Sequence, residues 1–393
     1  MISLETPKKL KPLVEQAHQV AAEVLRPISR KYDLAEHERP KELDMLAKLI
    51  DGMNEGGGTG GAGATGVGGG GSNLATVLSV IEMCWGDVGL LLALPGQGLG
   101  NSAIASVADE EQAELYAGRW AAMAITEPEA GSDSAAIRTT AVPDGDGWVL
   151  NGEKIYVTAG ERAELVVVWA SLDPSKGRAA IKSFVVERSN PGLVLERLEH
   201  KLGIRASDTA AFRLEDCHVP KEALLGTPDI EDTGGFAGAM KTFDNTRPLV
   251  AAMAVGVARA CLEETHARLT EAGVEIDRDR PALAQSAAAA RYLALEADYE
   301  AARLLTMQAA WMADSGKPNS LEASMAKAKA GRTGVDVALG CVELCGSAGY
   351  GEQELLEKWA RDAKILDLFE GTQQIQLLIV ARLLLGKTSA ELK

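Results

Sequence analysis

Aromatic residues make up 4% of this 393-residue chain and histidine occurs five times, so packing bulk from rings and imidazole chemistry are both scarce. A core with few rings packs through aliphatic and small side chains, and abundant alanine points to helix against helix. The bulk of the chain is expected to be α-helical. His18, His37, His200, His218 and His266 are scattered without ligand spacing or a motif partner, which leaves histidine catalysis without support. Neither a GxSxG elbow nor a GxGxxG following a strand occurs, so hydrolase and dinucleotide-fingerprint readings are unsupported.

Cysteine is also sparse. Cys84, Cys217, Cys261, Cys341 and Cys345 form an odd set with no CxxC pair, which fits a reducing compartment. Cys341 and Cys345 stand four apart but have no histidine nearby, so burial is expected and no metal. Positive charge is in deficit, 40 Lys and Arg against 56 Asp and Glu. The net −16 argues against nonspecific binding to nucleic acid or anionic membranes, while leaving room for a local basic pocket. "MISLETPKKLKPLVEQ" has no apolar core behind its lysines, and the longest weakly charged run, 88–108, is interrupted by Pro95 and four glycines. A soluble, cytoplasmic protein with no membrane or nucleic-acid partner is expected.

What is present, 46% hydrophobic and 24% charged residues, suits a globular chain of one to three domains. Residues 1–118 read as an N-terminal helical domain, with Leu10, Leu13, Val14, Ala17, Val20, Ala21, Val24 and Leu25 at helical spacing and Pro27 ending the pattern. The glycine-rich stretch 56–72 reads as a mobile loop, because glycine has the most backbone entropy to lose; a phosphate-cradling nest lacks a GK[ST] ending. Residues 119–229 change to short β-rich runs such as "ELVVVWA" and "TAAFRLEDCHV", a small antiparallel domain. From 230 to 393 helical patterns return over 245–271, 281–315 and 318–346, with a last helix from near Thr372.

Two clusters carry candidate chemistry. "AITEPEAGSDSAA", 124–136, gathers a permissive glycine, hydroxyls and carboxylates in a segment too irregular for a helix, although a turn would explain part of it. In "RDAKILDLFEGTQQIQLLIVARLLLG", 361–386, Glu370 stands where the chain breaks between two helices. Gly371 can relax the backbone there and Thr372 can cap the next helix, without a capping box because position 375 is isoleucine.

Together with "ELCGSAGYGEQELLEKWARD" at 343–362, "TFDNTRP" at 242–248 and "DAKILDLFEGTQQIQ" at 362–376, these clusters resemble the acyl-CoA dehydrogenase family over nearly the whole chain. The resemblance implies a helical domain, a middle antiparallel β domain and a C-terminal four-helix bundle, with FAD where they meet. It also implies α,β-dehydrogenation of an acyl-CoA, in which a carboxylate takes the α-proton and a hydride leaves the β-carbon for flavin N5. Glu370 matches the family base, and no carboxylate stands at position 246 to rival it. Met123, Ile125, Thr126, Gly131, Ser132, Tyr156, Val157, Thr158, Thr372 and Gln374 match cofactor-binding positions, with Tyr156 where many relatives have tryptophan. Ser132, Asp244, Thr246, Arg247, Phe369 and Gly371 match substrate-binding ones.

Two departures bear on assembly. The family's R-x-x-F-G segment, which reaches a neighbour's FAD, is replaced by "EAGVEIDRDRPAL" at 271–283, and Glu343 stands where glutamine is commoner. A partner chain in an α2β2 assembly is one implication, against a homo-oligomer that holds FAD through Arg278 or Arg280. An electron-transfer flavoprotein is the expected acceptor. An acyl-CoA oxidase using O2 and a non-catalytic partner subunit are the alternatives. "LPGQGLG", 94–100, with Gly96 and Gly98, suggests a roomy pocket for long or bulky acyl groups, or else close helix packing.

Overall fold

The computed structural model describes residues 6–47, 73–96, 99–230, 237–388 and 391, with no side-chain detail over 237–245. The glycine-rich stretch 56–72 lies outside the described residues.

The N-terminal helix does not stop at Pro27. α1 (Lys11–Val20) passes through a π-type turn, Ala21–Leu25, into α2 (Arg26–Leu34). Proline lacks an N–H and its ring collides with the carbonyl one turn back; the wider turn just before it accommodates both. α3 (Asn73–Ala93) is apolar and long enough to cross a membrane, yet 89% of its most apolar window is buried inside the protein, so it is a core helix. Pro95 separates it from α4 (Leu99–Val107), and α5 (Glu110–Leu115) starts from a capping box between Asp109 and Gln112.

The middle region is a seven-stranded sheet: β1 (Ala121–Ala124), β2 (Thr140–Asp144), β3 (Gly147–Thr158), β4 (Leu165–Ser171), β5 (Ile181–Glu187), β6 (Leu193–Leu198) and β7 (Thr209–Pro220). The expected antiparallel pairing holds for β2–β3, β3–β7, β6–β7 and β4–β5. It fails at β1–β4, which is parallel, as is the single β2–β4 contact. β4 is buried along its whole length because both faces of the sheet are covered. Val166 and Val168 join one core with Phe184 and Phe212, and Val167 and Trp169 join another with Ile104 of α4.

α6 (Ala237–Glu271), α7 (Ala287–Asp314), α8 (Ser320–Tyr350), α9 (Leu356–Leu366) and α10 (Gln373–Leu385) complete the chain. α6, α8 and α9 share the largest core with α3, through residues such as Val255, Val257, Val337 and Trp359. The order of helices, sheet and helices is the expected one.

Candidate active site

The site is organised by the turn between α9 and α10. Leu368 and Phe369 still donate to the Ile365 carbonyl, at 2.9 and 3.0 Å, and then Glu370 and Gly371 both adopt left-handed backbone, φ 57° and 92°. For Gly371 this is free of steric penalty; for Glu370 it costs about 1–2 kcal/mol. The conformation is held from three sides. Gln376 Nε2 donates to the Glu370 carbonyl at 2.9 Å, Lys327 Nζ to the Gly371 carbonyl at 2.6 Å, and Thr372 Oγ1 accepts from the Ile375 N–H at 3.4 Å as the N-cap of α10. α8 can come this close because position 331 is glycine, where a Cβ would stand 2.8 Å from the Leu366 carbonyl oxygen.

Glu370 opens onto a partly open, mostly aliphatic cavity. Its walls are Leu92, Leu99, Leu249, Val250, Met253 and Phe369, with Ala122 and Thr158 of the sheet and Thr246 of α6. Thr246 Oγ1 donates to Glu370 Oε2 at 2.7 Å. Burial raises the pKa of the Glu370 carboxyl above the ordinary carboxylate range, opposed by the Thr246 hydrogen bond and by the charges of Arg247 and Lys327. A carboxylate so placed is a stronger base than one in water and can accept a proton from a weak carbon acid lying in the cavity.

The sheet supplies the opposite wall. In "AITEPEAG", Glu127 is buried and accepts from the N–H of Arg138 (2.5 Å), the N–H and Oγ1 of Thr139 (3.0 and 2.6 Å) and Lys154 Nζ (2.7 Å). Lys154 also donates to the Ile125 carbonyl at 3.2 Å, and burial pushes its pKa down to about 8. These two charges shape the segment from beneath. Above them Met123 and Thr126 are half-buried, Ile125 and Val157 point into the core, and Gly131, Ser132 and Tyr156 are exposed. β3 bulges between Lys154 and Val157, with Tyr156 at φ 59°. The result is an aromatic face held out two residues from Thr158, next to the cavity, with the Thr209 hydroxyl opposite Thr158 buried and unpaired. Such a surface of one ring, one hydroxyl donor and apolar walls fits a planar isoalloxazine.

Gln374 is exposed on α10, and the Asp244 side chain and Gly98 lie outside the described residues. Gly96 faces open space at φ 81°. His37 and His200, apart in sequence, bring their rings to 4.9 Å beside Glu36, so the histidines are less scattered than their spacing suggests. Lys327 and Gln376, both buried, went unread; their signal was a lone polar residue on an apolar helical face, "ASMAKAKAG" in the first case.

The sequence matches three family models end to end: "Acyl-CoA dehydrogenase, N-terminal domain" over residues 7–124, "middle domain" over 122–217 and "C-terminal domain" over 233–385. It is 35% identical to the short-chain specific acyl-CoA dehydrogenase of Clostridium acetobutylicum, over 93% of this chain and 95% of that one. With the mitochondrial short-chain specific enzyme of Rattus norvegicus it shares 39% identity, over 66% of this chain and 61% of the other. The fold is similar to the butyryl-CoA dehydrogenase of Megasphaera elsdenii, with a TM-score of 0.85 and 30% identity over 98% of this chain and all of that one.

Proposed function

The chain belongs to the acyl-CoA dehydrogenase family of FAD-dependent flavoproteins, and we propose that it converts a short-chain acyl-CoA to the trans-2-enoyl-CoA with Glu370 as the α-proton base. The observation that carries this reading is the Glu370 carboxylate, whose ionised form burial disfavours and which shares one apolar cavity with Thr158 of the sheet. Bound FAD supplies the acceptor for the β-hydride.

The rest falls to side chains and backbone of this chain. Glu370 takes the proton, and its own N–H is the donor we assign to the thioester oxygen, where enolate charge develops. Phe369, Thr246 and Arg247 border the substrate, with Ser132, Gly371 and Asp244 completing that set. Met123, Ile125, Thr126, Gly131, Ser132, Tyr156, Val157, Thr158, Thr372 and Gln374 are the residues we assign to holding FAD. Excluding water from the aliphatic cavity keeps the carboxylate basic.

The aliphatic walls of the cavity suit an acyl group, and the short-chain relatives favour a short straight one over a long or bulky one. Anaerobic bleaching of the flavin by a series from butyryl-CoA to palmitoyl-CoA tests this. Butyryl- or hexanoyl-CoA should reduce the flavin fastest; a maximum at lauroyl-CoA or beyond would overturn the short-chain assignment. Glu370→Gln in the same assay should bind substrate and fail to bleach.

We read the chain as three domains, 1–118, 119–229 and 230–393, working as a soluble, cytoplasmic oligomer that passes electrons to an electron-transfer flavoprotein. Arg278 and Arg280 are exposed but paired with acidic side chains: Arg278 with Glu296 at 2.5 Å, and Arg280 at 3.5 Å from both Glu275 and Asp277. That pairing favours a partner chain, in an α2β2 assembly, as donor of the remaining FAD contacts.

A further inference from the structure

We propose that Lys327 is the positioning residue of the base: its ammonium holds the Gly371 carbonyl and so fixes the left-handed turn that presents the Glu370 carboxylate to the cavity. This rests on the reading of Glu370 as the base. Lys327 is 1% exposed, on a face of α8 shared with Ala323, Ser324, Ala330 and Gly331. Burying an ammonium among alanines is unfavourable unless a partner compensates, and the compensation lies in this turn. Nζ donates to the Gly371 carbonyl at 2.6 Å, and Gly331, one turn along the same helix, brings α8 against the residues before it.

The charges around the base complete the case. Glu370 faces Thr246 and Arg247 on α6 and Lys327 on α8, while Asp367, in the same turn, acts on Lys327. Burial pushes Lys327 down to about 8, against the pull of Asp367 and Glu370. Without its ammonium the carboxylate would keep, among the described residues that act on it, Arg247 as the one positive charge, and would ionise less readily. Gln376 Nε2 also reaches the carbonyls of Glu370 and Gly371, at 2.9 and 3.3 Å, so loss of Lys327 would loosen the turn without unfolding it.

The test uses the FAD-loaded protein and the variants Lys327→Met, Lys327→Gln and Lys327→Arg, with Glu370→Gln alongside. Lys327→Met should lower the limiting rate of flavin reduction by about 10²-fold at unchanged substrate affinity. It should also move the acid limb of the pH–rate profile upward by about one pH unit. Lys327→Arg should restore most of both; Lys327→Gln, which keeps a donor without the charge, should restore part of the rate and leave the limb displaced. A readout independent of turnover is the rise in melting temperature on Glu370→Gln at pH 7, which should be larger in the Lys327→Met background. Parent rate and parent acid limb in Lys327→Met with full flavin content would overturn the proposal. Should that variant fail to fold, an undisplaced limb in Lys327→Gln would overturn it equally. Full activity of Glu370→Gln would sink the base assignment instead, and the melting comparison would still decide whether Lys327 acts on residue 370.

Discussion

Glu370 destabilises the fold for the same reasons that suit it to be a base: a left-handed backbone and a carboxylate whose charged form burial disfavours. Its raised folded pKa means that the native state favours the protonated form more than the unfolded chain does. The stability this contributes is complete below the ordinary carboxylate range and is lost as pH rises through the raised value. Glutamine cannot ionise, so Glu370→Gln should raise the melting temperature at pH 7–8, with the gain vanishing as the pH falls to the ordinary carboxylate range. In the same protein the rate of flavin reduction should drop by roughly 10²–10⁴-fold. A melting temperature unchanged across that whole range would mean that the ionised carboxylate is not penalised. Thr246→Val removes the hydroxyl that stabilises the ionised form, so the acid limb of the rate profile should move up; a limb that stays put would assign that hydrogen bond no part in setting the base. Glu370 was legible because glycine and threonine follow it at a helix break, and that punctuation has a local cause. Lys327 was not, because a lysine on an alanine-rich helix reads the same whether it faces water or a buried carbonyl; only the approach of α9 and α10 distinguishes them.

At the scale of elements, the region carrying "AITEPEAG" is shaped by a buried ion pair. Glu127 and Lys154 are 5% and 0% exposed at the side chain and 2.7 Å apart, and Glu127 is held below its usual range despite burial, by Lys154, Thr139 and the Arg138 N–H. Lys154→Met leaves that carboxylate without its cation and should lower stability by about 3–5 kcal/mol. Adding Glu127→Gln should recover part of the loss, measured by urea denaturation at pH 7. A depressed carboxylate contributes stability above its unfolded pKa and loses it as pH falls through the folded one, so the penalty of Lys154→Met should shrink on acidification. An equal penalty at pH 7 and at pH 3 would assign it to packing. Local pattern located most elements: the unbroken apolar "ELVVVWA" became the fully buried β4, and Thr372 became the cap of α10. It failed where a distant element decides. Pro27 continues a helix because the turn before it widens, and β1 lies parallel to β4 because of a pairing some forty residues away in sequence, which no local pattern announces.

The whole molecule exposes more apolar surface at its C-terminal end than a solitary chain would be expected to. On α10, Leu377, Leu378, Leu383, Leu384 and Leu385 are all about half exposed or more, and Leu339 of α8 and Trp311 of α7 are exposed as well. Scattered leucines need no explanation, but a helix whose outer face is mostly leucine suits the proposed oligomer, in which another chain would cover it. Which chain covers it is the remaining question, and the charges argue for a different one. A chain that reaches across to a neighbour's FAD needs free cations, whereas Arg278 is clamped by Glu296 through two hydrogen bonds and Glu343 is an exposed negative charge. On the proposed assembly, this chain binds FAD with its own sheet and leaves the completion of a neighbour's site to its partner. Expressed alone, it should purify with well under one FAD per polypeptide; co-expressed with a homologous chain bearing unpaired arginines in the corresponding loop, it should form an α2β2 assembly with two FADs. Glu296→Gln should release Arg278 and raise flavin retention in the lone chain. Light scattering and flavin absorbance per polypeptide decide between the assemblies, and a fully flavinated, active homotetramer from this chain alone would exclude the need for a partner.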